Sequence, residues 1–240
     1  MTKNSAIEWT DHTWNPWRGC HKVSSGCKNC YMYREQKRYG NDPNKVVKAK
    51  PNTFNAPLKW IEPACVFTCS WSDFFIEEAD EWRDKAWEII RQTPYLTYQI
   101  LTKRIENVLD RLPKDWGEGY DNVWLGVSIE SREFEGRAYN LNQIPAKIRF
   151  VSAEPLLGPL LLTPYLTRHV SFNNVVRGID WVIVGGESGP NFRPMDSEWA
   201  TYLAWQCNNS EAKYFFKQMG GWPNKKGEIP PELQIFEYPT

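Results

Sequence analysis

The sequence has 240 residues, a formal net charge of zero, 41% apolar residues and 24% charged residues. That length buries a core in one large α/β domain or two small ones, and the composition is that of a folded globular chain, not a disordered one. The balanced charge excludes a uniformly basic surface for nucleic acid, and no run approaches the roughly 20 apolar residues that cross a bilayer.

In chain order, the opening MTKNSAIEWTDHTW lacks the apolar core of a secretory signal. A reducing cytoplasmic compartment without membrane contact is therefore expected, where clustered cysteines favour metal or redox chemistry over disulfides. AIEWT (6–10) reads as an early strand. Charge is uneven: residues 1–60 carry 11 Lys/Arg against 4 Asp/Glu, and the remainder 18 against 25. The basic block surrounds a cysteine-rich loop at 15–40, in which Cys20, Cys27 and Cys30 are spaced C-x6-C-x2-C. Such a block attracts an anionic ligand or offsets thiolates. The aromatic residues Trp9, Trp14, Trp17, Tyr31 and Tyr33 around it pack in the core and loops, serve stacking on a nucleotide or nucleic acid, or wall off a site from water.

Beyond residue 60 short apolar runs alternate with amphipathic stretches. ACVFTC (64–69), YLTYQIL (95–101), NVWLGVSI (122–129), KIRFVSA (147–153), GIDWVIVGG (178–186) and AKYFFKQ (212–218) read as strands. EADEWRDKAWEIIRQ (78–92), RIENVLDRL (104–112), SREFEGRAYNLNQI (131–144) and DSEWATYLAWQC (196–207) read as helices, the last capped by Asp196 or Ser197. Pro155, Pro159 and Pro164 make 154–178 irregular, and GEIPPEL (227–233) reads as loop. This alternation predicts parallel strands with right-handed crossovers. We expect one α/β domain over 1–240, a partial (β/α) TIM-like barrel of six or seven mainly parallel strands.

Polar residues follow the carboxyl end of each strand: Ser70, Ser72 and Asp73; Lys103 and Arg104; Ser128 and Glu130; Glu154; Glu187 and Ser188; Lys217 and Gln218. A ring-shaped active face needs this placement, because each strand contributes one group to a shared centre. Glu154, Glu187 and Lys103 are the catalytic candidates. Gly185 and Gly186 mark a close backbone approach. Cys65, Cys69 and Cys207 read as core residues or as a second cluster.

The three clustered thiols are buried core residues, a zinc site or an iron–sulfur cluster. Structural zinc needs a fourth ligand, which His21, His12, Cys65 or Cys69 would supply. A four-iron, four-sulfur cluster held by three thiolates leaves one iron open to a cofactor. Arg18, Lys22 and Lys28 favour thiolate, and Cys30 stands at the start of a helix.

WNPWRGCHKVSSGCKNCY, CSWSDFF, ILTKR, VWLGVSIE, RFVSAEPLLGP, IDWVIVGGESGP and FFKQMGG, in this order, span nearly the whole chain. Through them it resembles the phage-associated three-Cys-motif family, a group similar to divergent radical S-adenosylmethionine proteins. The resemblance implies a [4Fe-4S] cluster on Cys20, Cys27 and Cys30, with S-adenosylmethionine on the fourth iron. An electron donor would then yield a 5′-deoxyadenosyl radical that abstracts hydrogen from a substrate, with a nucleotide or nucleic acid as the candidate substrate and a partner protein as a further candidate. Ser70, Ser72 and Asp73 would take the cofactor's amino group, Lys103 or Arg104 its carboxylate, and Ser128 and Glu130 its ribose. The alternative is a zinc-stabilised nucleic-acid-binding or structural partner module without redox chemistry.

Overall fold

The computed structural model describes residues 5–167, 169–171, 174–176 and 178–239. The apolar runs form strands because each is too short for a helix and rich in β-branched or aromatic residues. They are β1 (His12–Trp14), β2 (Ala64–Thr68), β3 (Leu96–Thr102), β4 (Val123–Ser128), β5 (Ile148–Ala153), β6 (Trp181–Gly185) and β7 (Lys213–Gln218). All seven belong to one sheet, and the order of hydrogen-bonded neighbours follows the chain from β1 to β7. The pairs β1–β2, β2–β3, β5–β6 and β6–β7 are parallel. A doubly wound sheet reverses its strand order at a switch point. This sheet does not, so the fold is the mostly parallel, helix-flanked partial (β/α) barrel expected from the alternation together with the polar strand exits.

The chain gathers into two compact units. The first comprises Met1–Val23, Cys30–Leu125 and Pro145–Lys147. Its main helices are α1 (Tyr31–Arg38) and α2 (Asp80–Gln92). On α2, Ala86, Trp87, Ile89 and Ile90 are buried at helical spacing. Asp80 and Glu81 in its first turn and Arg91 in its last complement the helix dipole. The core is aromatic: Phe74 lies 4.9 Å from Trp87 and 5.2 Å from Trp17, and Trp14 lies 5.6 Å from Tyr98. The buried indoles satisfy their N–H groups on carbonyls, Trp14 on Phe54 O at 3.0 Å and Trp17 on Asp73 O at 3.0 Å.

Two local expectations change here. The first strand is His12–Trp14, not 6–10. Before it, Thr10 Oγ1 accepts from Phe67 N at 3.0 Å and Asp11 Oδ2 from Cys65 N at 2.8 Å. Side chains there supplement the backbone bond from Asp11 N to Cys65 O at 3.1 Å. The helix expected at 104–112 is two 3-10 turns, Ile105–Asn107 and Leu109–Arg111. A segment this short does not hold an α-helix by propensity alone, and Asn107 Nδ2 is drawn to Phe75 O at 3.0 Å.

The second unit comprises Ser24–Asn29, Gly126–Ile144 and Ile148–Thr240. It holds α3 (Gly136–Asn142) and α4 (Ser197–Asn208). Asp196 caps α4, its side chain accepting from Glu198 N at 2.9 Å. Helix α4 buries Ala200, Leu203, Gln206 and Cys207, and Tyr214 OH from β7 donates to Ala200 O at 3.0 Å. The irregular segment after β5 contains a short helix, Thr163–Leu166, and a ribbon of His169–Ser171 with Asn174–Val176. A 3-10 turn, Pro231–Leu233, interrupts the loop expected at 227–233 and buries Leu233. The chain then runs antiparallel along β7: Phe216 N donates to Ile235 O at 2.8 Å and Glu237 N to Tyr214 O at 2.9 Å. Among the described residues no helix is long and apolar enough to cross a membrane.

Candidate functional site

In the first unit the strand exits are tied together by Asp73, which is 4% exposed. Its Oδ1 accepts from Thr102 Oγ1 at 2.7 Å and Phe75 N at 3.0 Å; its Oδ2 accepts from Lys103 N at 2.9 Å and Arg104 Nη1 at 3.3 Å. Arg104 is also buried. It donates through Nη2 to His21 O at 3.0 Å, and its Nη1 lies 3.6 Å from Cys20 Sγ. Burial opposes its charge, but Asp73 and Cys20 raise the guanidinium above its ordinary range. Ser72 Oγ donates to Gly19 O at 2.6 Å, and Ser70 exchanges hydrogen bonds with Asn15. Of the expected cofactor-binding side chains in this unit, Asp73 and Arg104 thus meet each other, and Ser70 and Ser72 are tied to Asn15 and Gly19 of the cysteine-rich loop.

In the second unit three carboxylates leave successive strands, each with its own cation. Glu130, fully buried, accepts from Arg137 Nη1 at 3.0 Å and from Ser24 Oγ at 2.5 Å. Arg137 Nη1 also donates to Ser128 O at 2.7 Å. The backbone of Gly26 passes so close to Glu130 that a Cβ there would collide with its side chain. Glu187 accepts from Arg193 Nη2 at 2.5 Å, from Arg193 N and Nε at 2.9 Å each, and from Asn29 Nδ2 at 2.9 Å. Burial works against its charge, yet these donors hold its carboxyl below the ordinary glutamate range. Glu154 is the most open of the three: it pairs with Lys217 Nζ at 2.7 Å and accepts from Ser152 Oγ at 3.3 Å. A Cβ on Gly185 would stand 2.8 Å from Glu154 Oε1, and one on Gly186 would meet Met219 O. The close approach expected at these glycines is present. Arg137, Arg193 and Asn29 were not among the expected site residues. Arg137 and Arg193 lie only seven and six positions beyond their partners, which is the signal that marks them.

The cysteines require a correction. Among the described residues no three His, Cys, Asp or Glu side chains form a group that could hold a metal ion. Cys20 Sγ sits against Arg104 and against His21 O at 3.4 Å. Cys27 is buried in the 3-10 turn Ser25–Cys27, its Sγ 3.5 Å from Ser24 Oγ. Cys30 is the N-cap of α1, as its place at a helix start predicted. His21, an expected fourth zinc ligand, faces Glu78 instead at 2.5 Å, and the buried His12 packs on Trp60 with ring centroids 4.8 Å apart. Neither the [4Fe-4S] cluster nor the zinc site has its donor set. The expected S-adenosylmethionine cofactor, radical chemistry and enzyme assignment fall with it. Burial, and then Asp11, pushes the Cys65 thiol up to about 11; burial, and then Glu237, pushes Cys207 up to about 12. Burial, and then Asp73, holds Cys69 well above its ordinary value. These three are protonated, packed thiols, not a second cluster.

The aromatic residues of the basic block also separate. Trp9, Trp14 and Trp17 are at most 2% exposed and belong to the core. Tyr31 is 42% exposed, and its OH donates to Ser70 O at 2.7 Å. Tyr33 is half-buried, with Lys22 Nζ 4.9 Å from its ring centroid. Helix α1 carries Arg34, Lys37 and Arg38, and Lys45 and Lys50 follow it along the chain; all but Arg34 are exposed. Among the described residues none of these five has an ion-pair or side-chain hydrogen-bond partner.

A protein-family model described as "Protein of unknown function (DUF5131)" matches residues 4–233. That match replaces the three-Cys-motif family that the ordered motifs resembled. No curated protein and no solved structure matches the chain.

Proposed function

The chain belongs to the DUF5131 family of unknown function, and on that footing we propose that it binds nucleic acid through the basic surface around α1. The observation that carries this reading is the set of five unpartnered cations, Arg34, Lys37, Arg38, Lys45 and Lys50. A cation with no protein partner keeps its whole field for an external anion. Several within one short stretch match a phosphate backbone better than a single small anion. The buried Arg104, Arg137 and half-buried Arg193, by contrast, spend their donors on Asp73, Glu130 and Glu187. The zero net charge of the chain does not oppose this, because the excess is local to residues 1–60.

Fluorescence anisotropy of a labelled oligonucleotide tests the reading across salt concentration. Binding should weaken steeply with salt, since each phosphate contact contributes about 0.7–0.9 to the logarithmic slope. Combining Lys37→Glu with Arg38→Glu should weaken binding by more than about tenfold and flatten that slope by about two contacts. Absence of binding by the native chain at low salt, or an unchanged affinity in the double variant, would sink the proposal.

A further inference from the structure

We infer that the favoured ligand is an unpaired strand whose bases stack on Tyr39 and Trp71. This rests on the nucleic-acid reading of the same surface. Tyr39 follows Lys37 and Arg38 directly at the C-cap of α1 and is 61% exposed. Its ring centroid is 6.1 Å from that of the half-buried Trp71, with the planes tilted by 39°. The rings are not closed into a parallel stack, so each keeps a face for a base.

Both rings stand on fixed backbone. Trp71 N is held by Asn15 Oδ1 at 2.8 Å, and Trp71 O accepts from Gly19 N at 3.0 Å. The residues on either side are tied as well: Ser70 O accepts from Tyr31 OH, and Ser72 Oγ donates to Gly19 O. Tyr39 N is bonded to Glu35 O at 3.1 Å and Gln36 O at 3.2 Å, and Gly40 N to Lys37 O at 3.0 Å. Two half-open rings held without a flexible linker, next to unpartnered Lys37 and Arg38, form a stacking platform beside a phosphate track. In a duplex the base faces are covered by their neighbours, so a ring platform gains nothing there. An unpaired strand offers bases and phosphates together. Bases and phosphates are common to DNA and RNA, and the platform would use only these.

The test compares four probes: oligodeoxythymidylate, oligouridylate of equal length, a DNA duplex and inorganic polyphosphate. The native chain should bind either single strand ahead of the duplex. Tyr39→Ala with Trp71→Ala should weaken single-strand binding by about tenfold, the lower part of what stacking one base contributes. Polyphosphate binding should stay unchanged. Trp71→Phe should retain most of the single-strand affinity, and the exposed Tyr39→Ala alone provides a variant that does not endanger the fold. Equal affinity for duplex and single strand, or equal losses for single strand and polyphosphate, would overturn the stacking inference while leaving the phosphate reading intact. Failure of all four probes to bind would overturn both.

Discussion

Arg104 and Lys37 are cations of the same unit with opposite circumstances. Arg104 is 5% exposed and shared among Asp73, His21 O and Cys20, while Lys37 is exposed and has no partner among the described residues. The same contrast separates the strand exits as a class from the surface around α1. At the exits Asp73, Glu130, Glu154 and Glu187 each face a cation of their own unit. Buried charge survives only where a partner and further hydrogen bonds replace water, so these groups hold loops to strands. Exposed charge needs no partner to survive, and where it stays unpartnered it is available to a ligand.

The largest effect that would break this comparison is expected at Asp73. Asp73→Ala leaves buried Arg104 with only the Glu77 carboxylate, 4.0 Å from its Nε, and should cost about 3–5 kcal/mol in urea unfolding. Lys37→Ala should change stability by no more than about 0.5 kcal/mol. Similar losses for the two would erase the distinction. Next comes Gly26→Ala, whose methyl group would press on the buried Glu130. Overpacking there should cost about 1–3 kcal/mol, read from the same unfolding midpoint, and an unchanged midpoint would show that Glu130 is free to move aside.

The smallest effect sharpens the comparison by pH. Because Glu187 is held below the ordinary glutamate range, its ion pair contributes fully above that range and is lost as pH falls through the lowered value. Glu187→Gln should therefore be less stable than the native chain at neutral pH, and the difference should close under acid conditions. A pH-independent difference in urea midpoint would mean that the charge of Glu187 does not matter.

The strands were legible because β-branched and aromatic runs such as WVIVG have one comfortable conformation at that length. The Asp196 cap was legible for a similarly local reason. The cysteine site was misread because closeness in sequence says nothing about where each Sγ points. Cys20 was claimed by Arg104, which the chain supplies from the end of β3. The tryptophans near the cysteines have stacking, a wall around a site and core packing as readings, and core packing holds: Trp14 lies on β1 and Trp17 beneath Phe74, both inside. The Tyr39–Trp71 pair was invisible because it joins a helix end to a strand exit across a long stretch of chain. The pairing of Glu154 with Lys217 was hidden in the same way.

The segment around Phe236 gives the sheet a property that the charge comparison does not touch. By lying along β7 and taking hydrogen bonds at Phe216 and Tyr214, it occupies a flank whose amides and carbonyls would otherwise template a strand from another molecule. Trp181 on β6 fastens it further, donating to Glu237 O at 2.8 Å. A few residues after the last strand thus act as a guard against self-association, and their worth is measured in solubility.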